Sequence, residues 1–300
     1  MRQVEDVDKL PELLAGMYDE GEDTGIKVHF GRTKKENSHV SPDWFEPLLA
    51  ESSGRVTFFD TNTLYGGERG DTESHRKVAH QHGFQPVEIL DEKETVQLAR
   101  HVYVPGRLLE FDQIINAAHF TGHKITGVGG CIKNIGMGMV ASRTKLWVHN
   151  GGRPNFKTSN CKSCGWCKKH CPTGALGPAG IDQDCNACAK CIGNCEAAYF
   201  SFGKHKKVAQ RLGFVTRKIV DNLGNIKHIG IAENPTRLCD CQGEGEGEVL
   251  VEGFWARAGR NPLEVDKELL RKIQSNIKQS QGKIALELFK AYADLNLNRG

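Results

Sequence analysis

Two copies of one cysteine spacing constrain this chain more than any other feature. Cys161-Lys-Ser-Cys164-Gly-Trp-Cys167-Lys-Lys-His-Cys171 and Cys185-Asn-Ala-Cys188-Ala-Lys-Cys191-Ile-Gly-Asn-Cys195 both read C-x2-C-x2-C-x3-C, and together they hold eight of the eleven cysteines. Three thiolates from one tight turn can wrap a corner of a [4Fe-4S] cube, but the fourth must come from elsewhere. Where two such runs share a chain, the fourth cysteine of each serves the other cluster. The spacing therefore predicts one cluster on Cys161, Cys164, Cys167 and Cys195 and a second on Cys185, Cys188, Cys191 and Cys171. Zinc is a competing reading, but it favours C-x2-C pairs that close one tetrahedron, and a triplet overcrowds that arrangement. Disulfides are another, yet so many thiols outside a small secreted scaffold point to a reducing compartment and metal ligation.

Pro172 follows the first run and Glu196 the second, and the stretch resembles a bacterial dicluster ferredoxin domain. At 300 residues the chain is far too long for that module alone,. The module takes up residues 156–202, so the flanks, 1–155 and 203–300, are long enough for one or two further domains.

The flanks read as alternating strands and helices. Strands are expected at Ile26–Phe30, Arg55–Asp60, Pro86–Leu90, Asp112–Ala118, Ile226–Ala232 and Val249–Ala256, with β-like pattern from Thr95 to Val104. Helices are expected from Ser41-Pro42, over Thr72–His82, over Lys204–Asn222 with Val208, Leu212, Val215, Ile219 and Val220 on one side, and from Asn261-Pro262,. This order predicts an α/β fold with a largely parallel sheet. Asp60 and Asn62 then fall where a parallel strand meets its loop, the edge at which open α/β sheets bind ligands.

Glycine crowds the stretch after His119 and His123. Gly127, Gly129, Gly130, Gly136 and Gly138 surround Cys131, Lys133 and Asn134. Glycines at this density either admit a ligand close to the backbone, with adjacent amides forming an anion nest, or serve turns and tight packing. No G-K-[ST] follows and the spacing is not the dinucleotide fingerprint. His119 and His123 stand four apart, but Thr121-Gly122 argues against a helix that would pair them.

V-H-F-G at 28–31, F-D-T-N-T-L-Y at 59–65, H-F-T-G-H at 119–123 and G-V-G-G-C-I-K-N-I-G-M-G at 127–138 resemble the DUF362 family. That family comprises iron-sulfur center proteins of unknown function, many with a dicluster ferredoxin insert. The resemblance extends to Cys239-Asp-Cys241 and to Asp266 in the last third of the chain. It implies one α/β domain interrupted by the module.

The candidate site gathers Asp60, Asn62, Gly127, Gly129, Gly130, Asn134 and Asp266 as pocket residues, with His119, His123 and Lys133 as candidates for proton transfer and anion binding. Cys131, Cys239 and Cys241 are either extra ligands for a third metal ion or thiols with no metal role. Two functions follow. The clusters relay electrons to or from a ligand in the α/β domain, as in an oxidoreductase or a component of one; alternatively the chain is an electron carrier or an assembly or sensor subunit that docks a redox partner. A small anionic ligand and a redox partner protein are the expected partners. A net charge of +3 with scattered basic residues gives no basis for nucleic-acid binding,. The absence of an 18-residue apolar run gives none for a membrane span, so a cytoplasmic location is expected.

Overall fold

Short runs rich in β-branched and aromatic residues supply the strands of a seven-stranded sheet: β1 (Arg2–Val4), β2 (Thr24–Lys27), β3 (Val56–Thr61), β4 (Val87–Leu90), β5 (Gln113–His119), β6 (Ile226–Glu233) and β7 (Phe254–Gly259). The computed structural model describes residues 1–33, 38–90, 92–238 and 248–294. Every residue of β2, β3 and β5 is buried, as expected for parallel strands covered on both faces.

The spatial order is β4-β3-β2-β5-β6-β7-β1. The first five are parallel, with Ile26 opposite both Phe58 and Ile115, and Ile229 opposite Ala117; β7 and β1 add antiparallel edges. The fold class read from the sequence, α/β with a largely parallel sheet, is the one observed. After β4 the chain returns to lay β5 on the far side of β2. That reversal is a topological switch point, and a crevice opens outside the carboxyl ends of the strands beside it.

Helices cover both faces. α1 (Leu10–Ala15) and α2 (Glu46–Glu51), with α3 (Thr72–Gln81), pack Leu10, Leu14, Leu48 and Val78 against Phe58 and Ile115. On the other face lie α4 (Cys131–Gly138), α5 (Ser142–Asn150), α7 (His205–Asn222), α8 (Pro262–Ile273) and α9 (Gln279–Ala293). Their Ile135, Val148, Leu212, Leu269 and Leu288 share a core with Phe59 and Ile114. Alternate residues of one strand thus feed opposite cores, as the pleat dictates. In α7 the i, i+4, i+7, i+11 set Val208, Leu212, Val215 and Ile219 is buried, and Val220 packs at its margin.

Two expectations differ. The strand expected over Val249–Ala256 begins only at Phe254, because Gly253 has φ 141° against the Trp255 ring; before it, Val249 makes a single bridge to Thr236. The glycine-rich stretch is ordered secondary structure: Gly127–Gly129 pairs with Thr121–His123 as a hairpin, and α4 starts at Cys131. Buried Cys131, Ile132 and Ile135 give α4 its apolar face, so the i, i+1, i+4 pattern prevails over low glycine propensity,.

Residues 155–202 form small ribbons. Asn155–Phe156 pairs with Ala198–Tyr199, closing the base; Leu176–Gly177 pairs with Gly180–Ile181; and α6 (Trp166–His170) lies within. This unit seats on the α/β body through Ala189 and Ile192 against Leu64 and Leu146, with Phe200 alongside.

Candidate functional site

The switch-point crevice holds a half-open cavity of about 390 Å³, within the range of small-molecule sites. β2 ends in it with Lys27 and β3 with Asp60 and Thr61. α4 contributes Lys133, Asn134 and Met137, and α5 contributes Lys145, Val148 and His149, whose i, i+3, i+4 spacing puts them on one helix face,. Leu64, Tyr65 and Arg69 enter from the loop after β3, and Phe200 and Phe202 from the segment leaving the ribbon unit.

Asp60 is the electrostatic centre. It is 3% exposed; its Oδ1 accepts from the Thr61 amide at 2.8 Å and lies 3.1 Å from Lys27 Nζ, and its Oδ2 lies 3.8 Å from Arg69 and 3.6 Å from His75. Burial alone would raise its carboxyl, but Lys27, His75, Arg69 and Lys145 together outweigh it and hold the group below its ordinary value. Lys27 spends its three hydrogens on Val28 O at 2.7 Å, Asn134 Oδ1 at 2.8 Å and Asp60. Asn134 in turn donates to Asn116 Oδ1 at 2.8 Å and to the carbonyls of Lys27 and Ala117, tying β2 to β5. This packing needs Gly138: a Cβ there would stand 2.2 Å from Lys27 Cε and 3.1 Å from Asp60 Oδ1.

Lys145 donates to Thr61 Oγ1 at 2.8 Å and to the Asn62 carbonyl. Burial pulls its ammonium down to about 8. The imidazoles are neutral. Burial, reinforced by Arg69 and Lys133, holds His29 well below its ordinary value; burial and then Lys133 do the same to His123 and bring His149 to about 4. His123 Nδ1 accepts from the amides of Ile125 and Thr126, both at 3.0 Å, which assigns its hydrogen to Nε2.

The eight thiols of the duplicated run surround two other hollows. Cys161, Cys164, Cys167 and Cys195 line one of about 310 Å³. Cys171, Cys185, Cys188 and Cys191 line another of about 20 Å³, where a cube would require the thiols to swing apart. The two loops wrap alike: Ser163 and Gly165 in the first, Ala187 and Ala189 in the second, take left-handed φ of 53°, 74°, 58° and 65°. For the non-glycine residues this costs about 1–2 kcal/mol each, and turns of this kind form anion-binding concavities. Among the described residues no three His, Cys, Asp or Glu side chains converge to hold a single metal ion. The donor set is all-thiol and divided four and four, which suits two cubes.

Between these hollows and the cavity lies a cleft of about 440 Å³ lined by Cys188, Ala189 and Ile192 on one side and Leu64 and Tyr65 on the other. Leu64 and Tyr65 also line the cavity, so one loop borders both.

Of the residues singled out from sequence, Asp60, Asn134, His123 and Lys133 meet at the cavity. The others lie outside its wall. Asn62 bonds Thr72 and His75 on α3, and His119 closes β5 beside Ile231. Gly127 packs on α9, where a Cβ would meet the Gln281 carbonyl at 2.4 Å, and Gly129 pairs with Thr121. Asp266 sits behind α4, its Oδ1 and Oδ2 accepting from the Cys131 and Ile132 amides at 2.7 and 2.9 Å. Gly130 permits that approach, since a Cβ there would be 2.5 Å from Asp266 Oδ1. Cys131 is fully buried in the core, and burial, followed by Asp266, raises its thiol well above the ordinary value. Cys239 and Cys241 lie outside the described residues. Lys27, Arg69, Lys145 and His149 were not singled out; the legible signals were a lysine within the apolar run Ile26–Phe30 and the Lys145–His149 pair at helical spacing.

The family model described as "Domain of unknown function (DUF362)" matches residues 24–271. No curated protein matches the chain. Among solved structures, the crystal structure of a Thermotoga maritima protein is similar at 11% identity and a TM-score of 0.49; it covers 92% of this chain, which spans 61% of that one. Among the described residues no helix is long and apolar enough to cross a membrane.

Proposed function

The chain belongs to the DUF362 family, a domain of unknown function, and on that premise we propose that it is a two-cluster iron-sulfur protein passing single electrons between a redox partner and a small anionic ligand held in the cavity. The observation that carries this reading is the sorting of eight thiols into two sets of four, each set drawing its fourth member from the other run. [4Fe-4S] clusters, when bound, supply one-electron chemistry at a potential set by burial, charge and hydrogen bonds to sulfur.

The residues of this chain do the rest. Cys164 is exposed with Lys168 and Lys169 close in sequence, a basic rim suited to an acidic partner. Lys162 pairs with Glu196, which fastens the start of the first run to the end of the second. Leu64 and Tyr65 bridge the Cys188 loop to the cavity. There Lys27, Arg69 and Lys145 outnumber Asp60, and the neutral His29, His123 and His149 can exchange protons with a bound molecule.

Pairs of cysteine variants test the crosswise ligation. If the assignment holds, Cys171→Ala with Cys185→Ala disables one cluster and leaves about four irons per chain, whereas Cys171→Ala with Cys161→Ala disables both. Equal iron retention in the two double variants would contradict it.

A further inference from the structure

Arg69 makes the class of ligand legible. Its side chain is 7% exposed and lines the cavity, where its guanidinium faces the Asp60 carboxylate at 3.8 Å, beyond hydrogen-bond distance. A buried guanidinium presents a planar fork of donors matched to a carboxylate or phosphate. Lys145, also in the wall, has two acceptors in the protein and keeps a third hydrogen,.

Phosphate is disfavoured by what fills the rest of the crevice. In open α/β folds a phosphate sits on the amides of a helix N-terminus at the sheet's carboxyl edge. Here the amides opening α4 are already taken by the Asp266 carboxylate, and those opening α3 by Asp71, which accepts from Glu73 and Ser74. At α3 and α4, anion recognition is left to the side-chain cations.

Aromatic rings also line the cavity. Tyr65 and Phe200 lie with planes 25° apart, Phe200 and His149 30° apart with centroids 5.4 Å apart, and Phe202 meets Phe200 edge-on. His149 Nδ1 is buried without a hydrogen-bond partner among the described residues and offers a polar contact beside these rings.

We infer that the cavity binds an aromatic carboxylic acid, its carboxylate on Arg69 and Lys145 and its ring against Tyr65, Phe200 and His149. This rests on reading the cavity as the ligand end of the relay, but binding itself needs no electron.

Calorimetric titration of the full chain with 2-naphthoate, 2-naphthamide, 2-naphthyl phosphate and ADP tests it. The naphthoate should bind at least about tenfold more tightly than the amide. Arg69→Gln should weaken naphthoate binding far more than amide binding and so remove that preference, and Phe200→Ala should weaken naphthoate and amide alike, with circular dichroism reporting that each variant is folded. Tighter binding of the phosphate or of ADP, equal binding of the amide, or no naphthoate binding to the folded wild type would overturn the inference. Iron and sulfide measured on the same samples separate the two readings. Naphthoate binding by an iron-free chain retains this inference and sinks the relay; iron without naphthoate binding does the reverse.

Discussion

Asp60→Asn is expected to lower stability by about 3–5 kcal/mol, because it leaves Lys27 as a buried cation without its counter-charge. Lys27 is 1% exposed and 3.1 Å from the carboxylate, and its remaining acceptors are neutral oxygens. Arg69 and Lys145 add to the uncompensated charge. Adding Lys27→Met to Asp60→Asn should restore much of the loss, since removing both members of a buried pair costs far less than removing one. Urea denaturation of the two single variants and the double variant closes the cycle. A double variant no more stable than Asp60→Asn would mean that Asp60 acts through something other than this pair.

The second large effect belongs to Asp266→Ala. Its carboxyl is fully buried and takes the two amides that open α4; losing it leaves both without an acceptor, at a cost of about 3 kcal/mol,. The loss should depend on pH. Burial, opposed by the Ile132 and Cys131 amides, raises this carboxyl to about 7 in the folded chain, against about 4 when unfolded. Between those values the unfolded chain has released the proton and the folded chain still holds it. Stability therefore falls as pH rises from about 4 to 7. The gap between wild type and Asp266→Ala is expected to be widest near pH 4 and to narrow toward pH 7. Asp266→Asn keeps one acceptor oxygen but sets an NH2 against the other amide, so it should recover only part of the loss and should lack the slope. Denaturation of all three proteins at several pH values reads this out; a gap that widens with pH would contradict it.

These two carboxylates also mark how far the sequence could be read. Asp60 was legible because a small polar residue ending an apolar run marks the carboxyl edge of a parallel strand, and that edge is where the cavity lies. Asp266 was gathered into the same site, yet it serves the back of α4: the local pattern does not reveal that a residue so distant in sequence caps this helix. The glycines after His123 offered two readings, ligand approach or tight packing. Gly127 and Gly130 pack against α9 and Asp266, so packing accounts for them, whereas Gly138 both packs against Lys27 and lines the cavity.

Arg69 gave no signal, and Lys145 only its helical spacing to His149, for a different reason. Basic residues in a loop and on a helix usually face water, and only the return of the chain to β5 and the seating of the ribbon unit bring both into one wall. The sheet, its parallel order and the long α7 followed from periodicity, which is local. The cavity depends on contacts between distant segments, which periodicity does not encode.

The most direct test of the central claim is chemical. Anaerobically reconstituted protein should contain about eight irons and eight labile sulfides per chain and give an electron paramagnetic resonance signal on reduction. Zinc bound in place of iron, without labile sulfide, would contradict it.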